Sequence, residues 1–326
     1  MSEELNYRHA IARALADEMD YDDRVILIGE DVGAAGGAFK STDGLYERFG
    51  PARVRDTPIS EQAIVGAATG AAIMGLRPVA EIMFADFAGV CFDQIANQLA
   101  KYRYMTGGQV SVPVTIRMTN GAGAGFAAQH SQGTENWFLN IPGLKIAVPG
   151  TVPDLYGLLR SAIRDPDPVL VFEHKALFAI KGTIPGGTSL VPLGTADVVR
   201  EGGDVTIVAA QQMRHRAVEA AAELAREGIE ATVIDPRTLV PFDDDTVIDS
   251  LRVTSRLAVV QEAPADGSWG ASLISRMTTS NFELFDAPPL LIAADATPVP
   301  YAGSLEAAWL PSTDRITAEV RKQVRY

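Results

Sequence analysis

The chain has 326 residues, 47% of them hydrophobic and 21% charged, so it is long enough for two domains that each bury a core. A formal net charge of −13 at pH 7 argues against nucleic acid or an anionic membrane surface as a partner, because both would repel it. The single cysteine, Cys91, excludes an intrachain disulfide and a cysteine-based metal cluster, and this sparse use of cysteine fits a reducing, cytoplasmic location.

Short β-branched runs alternate with helical patterns through the first half of the chain. Amphipathic spacing predicts a first helix near 6–18, with no signal-peptide pattern. The apolar stretch Ala63–Leu76 is too short to span a bilayer and predicts a buried helix packed closely against its neighbours. In chain order we predict strands at Val25–Ile28, Pro78–Met83, Val112–Met118, Lys145–Val148 and Val169–Glu173, and further helices near 60–75, 87–104 and 153–163. Strands separated by helices imply a mainly parallel, doubly wound α/β sheet.

A stretch rich in glycine and proline, Lys181–Gly194, then interrupts the alternation for longer than a tight connection requires. After it the pattern resumes with predicted strands at Val205–Ala209, Ile229–Ile234, Leu257–Gln261 and Leu290–Ala293, and predicted helices at Met213–Arg226, Asp243–Leu251 and Ser268–Thr279. The sequence therefore predicts two doubly wound α/β domains, a larger one at 1–188 and a smaller one at 189–326.

A carboxylate stands at the predicted start of a helix, in the run Asp56–Gly66. Ser60 is a favourable N-cap, which puts Glu61 at the first helical position, where an acid interacts favourably with the helix dipole. Alone, this position is typical of an ordinary first-turn acid. A largely buried glutamate with a raised pKa would instead be able to share a proton near neutral pH.

A histidine lies in the glycine-rich run Asn120–Gln132, just after a predicted parallel strand. α/β proteins place ligand-contacting groups at such strand ends, although a lone loop histidine such as His130 is more often a satisfied turn residue. The glycine runs Gly33–Gly37 and Gly121–Gly125 fit neither the dinucleotide-binding nor the ATP-binding phosphate-loop pattern. Nicotinamide and ATP binding by those motifs are therefore unsupported, and the other histidines have no zinc-ligand spacing.

The runs Asp56–Gly66 and Ala128–Gln132 together resemble the pyrimidine-binding half of the thiamine diphosphate-dependent 2-oxoacid dehydrogenases, specifically the E1 β subunit. Landmarks similar to that family extend over essentially the whole chain: Gly29–Val32, Tyr104–Gln109, Pro142–Lys145, Val205–Val208, Asp235–Phe242 and Asp295–Tyr301. The resemblance implies a larger transketolase-like pyrimidine-binding domain and a smaller transketolase C-terminal-like domain that serves dimerisation and E2 docking.

The same resemblance implies the site residues. Glu61 would be catalytic by hydrogen bonding N1′ of the cofactor's aminopyrimidine, and His130, beside the thiazolium, would handle substrate and acyl intermediates. Glu30, Ile59, Glu61 and Phe87 would bind the cofactor, with Phe87 stacked on the aminopyrimidine. From pattern alone, Phe87 as a core residue and Glu30 as a solvent-facing acid stay open.

A structural monovalent cation, K⁺, is also implied by the resemblance. The carbonyls of Val114 and Ala162 and the carboxylates of Asp165 and Asp167 match positions that surround such an ion in relatives. Hard cations favour carbonyl and carboxylate oxygens. A plain acidic turn is the alternative interpretation.

No Gly-Asp-Gly motif, through which the family holds the diphosphate and its Mg²⁺, occurs in this chain. The nearest run, Ala265–Gly267, precedes Asn281 at too short a spacing. The resemblance therefore implies that an E1 α subunit binds the diphosphate and Mg²⁺, in an α2β2 heterotetramer. This oxidoreductase would decarboxylate a 2-oxoacid, or cleave acetoin, and transfer the acyl group to the lipoyl group of an E2 acyltransferase. The chain alone is expected to be inactive.

Substrate identity stays open at this point. Glu173–Gly182 resembles acetoin dehydrogenase β chains more than pyruvate ones, whereas Gly133–Asn140 departs from both, and Trp137 and Phe138 are candidates to reshape the acyl pocket. Two rival hypotheses are the pyrimidine-domain half of a split transketolase, which also carries a Glu-Gln pair like Glu61–Gln62, and a non-catalytic α/β assembly subunit. The histidine run and the E1 β landmarks weigh against the transketolase alternative.

Overall fold

The computed structural model describes residues 2–185 and 189–326, and the chain divides into two α/β units. The first unit comprises the residues up to Asn120 together with Trp137–Leu193, and the second comprises Gly121–Asn136 and Gly194–Tyr326. The boundary between 188 and 189 lies at residues outside the described ranges, so the division into 1–188 and 189–326 stays a prediction. Membership of Gly121–Asn136 in the second unit was not foreseen from the sequence pattern.

Parallel strands and flanking helices make up the first unit. Its strands are β1 (Glu3–Asn6), β2 (Val25–Gly29), β3 (Val54–Asp56), β4 (Arg77–Ile82), β5 (Thr115–Asn120), β6 (Lys145–Ala147), β7 (Val169–His174) and β8 (Lys181–Ile184). Its α-helices are α1 (Tyr7–Tyr21), α2 (Leu45–Phe49), α3 (Glu61–Ile73), α4 (Tyr102–Met105) and α5 (Val152–Arg164).

Six strands of this unit lie in the order β6-β7-β5-β4-β2-β3, and every neighbouring pair is parallel. β1 and β8 form a separate antiparallel pair. Helices cover the sheet, and its central strands are almost entirely buried, with apolar residues interrupted by the charged side chains of Glu81, Arg117 and Glu173. One core cluster packs α1 and α5 against β2 and β7 through residues that include Ile11, Leu15, Leu27, Leu155 and Val171. The carboxyl ends of all six strands therefore meet at one edge.

The second unit repeats this architecture around a smaller sheet. Its strands are β9 (Asp197–Arg200), β10 (Val205–Ala209), β11 (Ala231–Asp235), β12 (Thr238–Val240), β13 (Leu257–Pro264) and β14 (Leu290–Ala294). Its α-helices are α6 (Gln211–Ala225), α7 (Asp244–Thr254), α8 (Trp269–Ser280), α9 (Gly303–Trp309) and α10 (Thr313–Val324). Five strands lie in the order β14-β13-β10-β11-β9, with β9 antiparallel to β11 and the other neighbouring pairs parallel. The predicted pair of mainly parallel α/β architectures is confirmed.

Side-chain caps set several of the helix starts. Thr151 Oγ1 accepts the Asp154 backbone N–H at the start of α5, and Pro153 occupies the first turn, where its missing N–H costs nothing. Ser268 caps α8 in the same way by accepting from Ala271. Within the described ranges, no helix has the length and apolar character needed to cross a membrane.

The predicted helix near 87–104 is wrong as one continuous element. The chain forms a 3₁₀ turn at Ala85–Gly89, a π-helix at Gln94–Leu99 and the short α4. The π-helix buries Ile95, Ala96 and Leu99 together. Apolar spacing that suits an ordinary helix is thus accommodated by wider turns, which are frequent beside functional sites.

The stretch Ala63–Leu76 is only half buried, which corrects the expectation of a buried helix. α3 buries Ile64 and Val65 but leaves Ala63 exposed, and Met74, just after the helix, is 84% exposed. Small apolar residues on both faces of a helix do not indicate which face is covered, so the sequence misled here.

Candidate active site

The turn after β2 and the segment before α3 are joined at the carboxyl edge of the first unit's sheet. Glu30 follows β2 directly, and Thr57–Ser60 leads from β3 into α3. The Thr57 backbone N–H donates to the Gly29 carbonyl at 2.9 Å. This bond holds Glu30 beside the segment that carries Glu61, at the edge where α/β proteins contact ligands.

Glu61 is the first residue of α3, and its carboxyl group is nearly buried, with the residue 8% exposed. Ser60 occupies the predicted N-cap position, but its side chain makes no capping hydrogen bond. The first turn therefore relies on the backbone bond from Ile64 N–H to the Ser60 carbonyl and on the acid itself. This carboxylate is thus largely shielded from solvent and lies where a negative charge interacts favourably with the helix dipole.

Glu30 lies within electrostatic reach of Glu61. Partial burial raises the pKa of the Glu30 carboxyl above its usual range, and the charges of Asp31 and Glu61 raise it further. Like charges that share a poorly solvated site favour the protonated form of one partner. Glu30 is thus a partly exposed acid near Glu61, and its role in cofactor binding stays a prediction.

Cys91 lies within electrostatic reach of Glu61 and was not foreseen as part of this region. Its thiol is buried, and burial together with the charge of Glu61 raises its pKa to about 12. A thiol in this environment stays protonated and unreactive at neutral pH. Cys91 therefore places a neutral thiol, and no charge, near Glu61.

An aromatic cluster borders the strand end after β4. The Phe84 and Phe87 rings lie 5.5 Å apart, centroid to centroid, at an interplanar angle of 70°. Phe84 also meets Phe39 edge-on at 5.6 Å, and the Lys175 ammonium lies 6.0 Å from the Phe84 centroid. Phe84 is buried, whereas Phe87 keeps part of its surface exposed. Phe87 thus rests on a rigid aromatic support and retains surface for a second ring.

Two residues of the Thr57–Ser60 segment stand out, one by the exposure of its apolar side chain and one by its hydroxyl group. Ile59 is 76% exposed. Thr57 Oγ1 is buried and has no hydrogen-bond partner among the described residues. An apolar side chain in the open and an unsatisfied buried hydroxyl are features of a surface that is completed by another molecule.

The two carboxylates predicted around a cation already pair with basic side chains, Asp165 with Lys145 and Asp167 with both Lys145 and Arg103. Lys145 Nζ lies 2.7 Å from Asp165 Oδ2 and 3.7 Å from Asp167 Oδ2. The Val114 and Ala162 carbonyls each accept a backbone N–H, at 3.0 and 3.2 Å. In the part of the chain that the structure describes, no group of three or more His, Cys, Asp or Glu side chains is arranged to hold a metal. The K⁺ site stays a prediction.

His130 belongs to the second unit, whereas Glu61 belongs to the first. The segment Gly121–Asn136, here called the His130 loop, follows β5 and leaves the imidazole partly exposed. The His130 backbone N–H points to the Ala127 carbonyl at 3.4 Å, in a turn where Ala127 has φ 60°. A non-glycine residue in this conformation marks a tightly determined turn.

Two carboxylates of the second unit, the buried Glu306 and the partly buried Glu262, bind the backbone at the start of the His130 loop. Glu306 of α9, 4% exposed, accepts from Gly123 N–H at 2.8 Å and from Gly125 N–H at 3.1 Å. Glu262 of β13 accepts the Ala122 N–H. The N–H groups of Ala122, Gly123 and Gly125 are thus bound by the protein's own carboxylates.

The other end of the His130 loop is fixed by an amide side chain. Asn136 Oδ1 accepts the Trp269 backbone N–H, at the first turn of α8, at 2.8 Å. Asn136 Nδ2 donates to the Gly133 carbonyl at 3.1 Å. Ser131 Oγ and Thr134 Oγ1 are buried and have no hydrogen-bond partner within the described ranges. The loop is held at both ends, with unsatisfied hydroxyls between them.

Trp137 and Phe138 have different environments. Phe138 is buried, and its ring lies 5.5 Å from that of Phe92 and 6.1 Å from that of Phe172. Trp137 is 40% exposed. Phe138 is therefore packed in the core, whereas Trp137 keeps part of its surface exposed, and a role of either residue in the acyl pocket stays a prediction.

Residues 3–181 match the family described as "Transketolase, pyrimidine binding domain", and residues 194–316 match "Transketolase, C-terminal domain". The chain is 47% identical to the "Acetoin:2,6-dichlorophenolindophenol oxidoreductase subunit beta" of Cupriavidus necator, over 100% of this chain and 99% of that protein. It is 41% identical to the "2-oxoisovalerate dehydrogenase subunit beta" of Bacillus subtilis, over 99% of each chain. The solved structure of a "Split gene transketolase, inactive beta4 tetramer" superposes with a TM-score of 0.81 at 24% identity, covering 98% of both chains.

These matches define a transketolase-like protein of two α/β domains, of the class that uses thiamine diphosphate. The chain belongs to the E1 β subunit family of the acetoin and 2-oxoacid dehydrogenases. Its likeness to the split transketolase shows a shared fold, whereas the higher identities over the full length lie with the E1 β subunits.

Proposed function

We propose that this chain is the β subunit of a thiamine diphosphate-dependent E1 enzyme that works with an α subunit. The complex decarboxylates a 2-oxoacid, or cleaves acetoin, and transfers the acyl group to the lipoyl group of an E2 acyltransferase. In that transfer one lipoyl sulfur forms the thioester and the other becomes a thiol. The observation that carries the proposal is the nearly buried Glu61 at the start of α3, beside the acid Glu30.

The residues of the first unit fit the pyrimidine end of the cofactor. When bound, thiamine diphosphate supplies a thiazolium carbon that, once deprotonated, adds to the substrate carbonyl. Glu61 holds a proton at N1′ of the aminopyrimidine, and Glu30 shapes the polarity of the same pocket. Phe87, supported by Phe84, offers the aromatic face, and Ile59 offers an exposed apolar side chain. The buried Thr57 hydroxyl has no hydrogen-bond partner among the described residues, which supports binding of a ligand in this region.

The partner supplies what this sequence lacks. Because no Gly-Asp-Gly motif occurs in the chain, we assign the diphosphate and Mg²⁺ to the α subunit and expect an α2β2 heterotetramer. The cytoplasm suits a chain with one buried cysteine and no disulfide. A K⁺ ion among Val114, Ala162, Asp165 and Asp167 belongs to the same proposal, and it requires Lys145 to give up its bonds to Asp165.

His130 is proposed to act on substrate and on acyl transfer. Its partial exposure, in a loop that is fixed at both ends, supports a side chain that must reach a ligand in one defined position. Acetoin is the first substrate to test, because the stretch Glu173–Gly182 and the 47% identity both favour the acetoin enzymes. Pyruvate and branched 2-oxoacids follow.

The first experiment coexpresses the chain with the α subunit and titrates thiamine diphosphate with Mg²⁺ by calorimetry, beside each chain alone. Binding by the complex only is the expected result. A well-folded complex that fails to bind would overturn the proposal in favour of the non-catalytic assembly subunit. Ketol transfer from a sugar phosphate would favour the split transketolase.

A matched pair of variants tests the role of Glu61. Glu61→Gln should leave assembly intact and slow exchange of the thiazolium C2 proton by roughly 10²- to 10⁴-fold, the usual loss for a general acid or base. Glu47→Gln is the control, because Glu47 is also a first-turn acid, in α2, but is exposed. Equal exchange rates in wild type and Glu61→Gln would remove the catalytic assignment.

A further inference from the structure

We propose that Glu306 is a positioning residue, which fixes the His130 loop and thereby sets where the imidazole stands during acyl transfer. The inference rests on the proposed function of His130. It concerns contacts made entirely within the second unit. No local feature of the sequence near His130 points to this residue, which lies in α9.

The geometry is that of a carboxylate seated in a concavity of backbone N–H groups. Gly121, Gly123 and Gly125 have φ values of 89°, 88° and 74°, and the N–H groups of Gly123 and Gly125 converge on Glu306. Such nests bind anions. Both oxygens of Glu306 are used, since Oε1 accepts from Gly123 at 2.8 Å and Oε2 accepts from Gly125 at 3.1 Å.

Burial makes this anchor strong. Glu306 is 4% exposed, so its carboxylate is largely desolvated and depends on these donors for its stabilisation. Hydrogen bonds to an ionised acceptor are about twice as strong as neutral ones. Glu262 binds the preceding residue, Ala122, in the same manner. The backbone at 122–125 is therefore held by two separate carboxylates.

Fixing this end of the loop constrains His130, because the Asn136 contact to Trp269 fixes the other end. Between the two anchors the chain makes one tight turn, with Ala127 in the left-handed region. Releasing one anchor would let the turn shift relative to the rest of the second unit. Displacement of a reacting group by about 1 Å can cost roughly 100-fold in rate.

The test uses Glu306→Gln in the α and β complex. The amide keeps the shape of the side chain, but it replaces one acceptor oxygen with an NH₂ group that faces a backbone donor. We expect acylation of a lipoyl domain to slow by roughly 10- to 100-fold. Exchange of the thiazolium C2 proton, which reports on Glu61, should stay as in wild type. A merely destabilised complex would lose both.

Hydrogen exchange provides a readout that does not depend on turnover. In Glu306→Gln, the peptide covering 119–130 should exchange its amides faster than in wild type. Glu306→Asp, which keeps the charge but is shorter, should restore part of both the protection and the rate. Glu227→Gln is the control, because it removes an exposed carboxylate of the same unit, paired with Arg321, and should change neither readout.

A double-mutant cycle separates this inference from the proposed function. If Glu306 acts through His130, adding Glu306→Gln to His130→Ala should slow acyl transfer no further. Additive losses, or unchanged loop exchange in Glu306→Gln, would overturn the positioning role. If His130→Ala slows transfer and Glu306→Gln does not, only this inference fails. If His130→Ala has no effect, the assigned role of His130 fails, and the positioning role fails with it.

Discussion

The charge of Glu61 reaches Glu30, so that two acids from separate segments, the turn after β2 and the start of α3, form one electrostatic unit. Burial is the larger cause of the raised pKa of Glu30, followed by the charges of Asp31 and Glu61. Holding the Glu30 carboxyl near the charges of Asp31 and Glu61, with part of its surface buried, lowers the stability of the folded chain. Functional sites are where such a loss is retained.

Glu30→Gln should stabilise the chain at neutral pH. The pKa of Glu30 is raised above its reference value of 4.5 in the folded state, so its contribution to stability is full below about that pH and is lost as the pH rises through the folded-state pKa. The variant removes this titration. Its gain over wild type in urea unfolding should therefore grow as the pH rises from about 4.5 through the folded-state pKa, and then level off.

Asp31→Asn is the companion variant. It removes a neighbouring charge but leaves Glu30 in place, and asparagine tolerates the left-handed backbone of this position, φ 55°. We expect a smaller gain of the same sign. A gain that shrinks as the pH rises in Glu30→Gln would show that Glu30 does not titrate with a raised pKa.

Cys91 should resist alkylation in the native complex. Its thiol is buried and has a pKa of about 12, which leaves about one thiolate in ten thousand at pH 8. Because the chain has a single cysteine, mass spectrometry reads the labelling without ambiguity. One label should appear only after urea unfolding, and none in Cys91→Ser. Rapid, complete labelling of native protein would contradict the buried position.

The sheet of the first unit contains a buried ionic cluster whose disruption should strongly destabilise the fold. Arg117 of β5 donates to Glu81 at 2.6 Å and to Glu173 at 2.7 Å, and all three residues are buried. Burial raises the pKa of Glu173 despite the attraction of Arg117. Arg117→Met would leave two carboxylates without their counter-charge, and it should lower the free energy of unfolding by about 3–5 kcal/mol.

Arg24→Met provides the comparison for this cluster. Arg24 pairs with Asp22 at 2.7 Å, but its side chain is 59% exposed. Exposed ion pairs contribute little to stability because solvent and salt screen the two charges. Urea unfolding of the two variants should separate them clearly, and equal losses would mean that Glu81 and Glu173 take up protons without penalty when Arg117 is absent.

Much of the fold could be predicted because most residues of its central strands are buried and apolar, and these strands alternate with amphipathic helices. The pair β1 and β8 was missed because Glu3–Asn6 is largely polar and its partner strand is about 180 residues away in sequence. A short polar strand that pairs only with a distant segment has no local hydrophobic periodicity by which it could be predicted.

The candidate site could be predicted only in part from the sequence, for a similar reason. Glu61 lies in a compact local motif, so the sequence indicates it directly. Its proximity to Glu30 and Cys91 depends on how separate segments pack, and the bonds from Glu306 to the His130 loop join residues more than 180 positions apart. Composition and spacing do not encode contacts of this kind.

Gly143, in the landmark Pro142–Lys145, should be among the least replaceable glycines of the first unit. Its backbone has φ +104°, and a Cβ built there would overlap the carbonyl oxygen of Ala100. Gly75 is a matched control, because it has φ +100° with nothing within 4 Å of the added Cβ. Gly75→Ala should cost about 1–2 kcal/mol from backbone strain alone. Gly143→Ala adds a backbone collision to the same strain, and we expect a loss of roughly 3 kcal/mol or more in urea unfolding. Equal losses in the two variants would show that the Ala100 backbone moves aside freely, in which case close packing does not explain the glycine at 143.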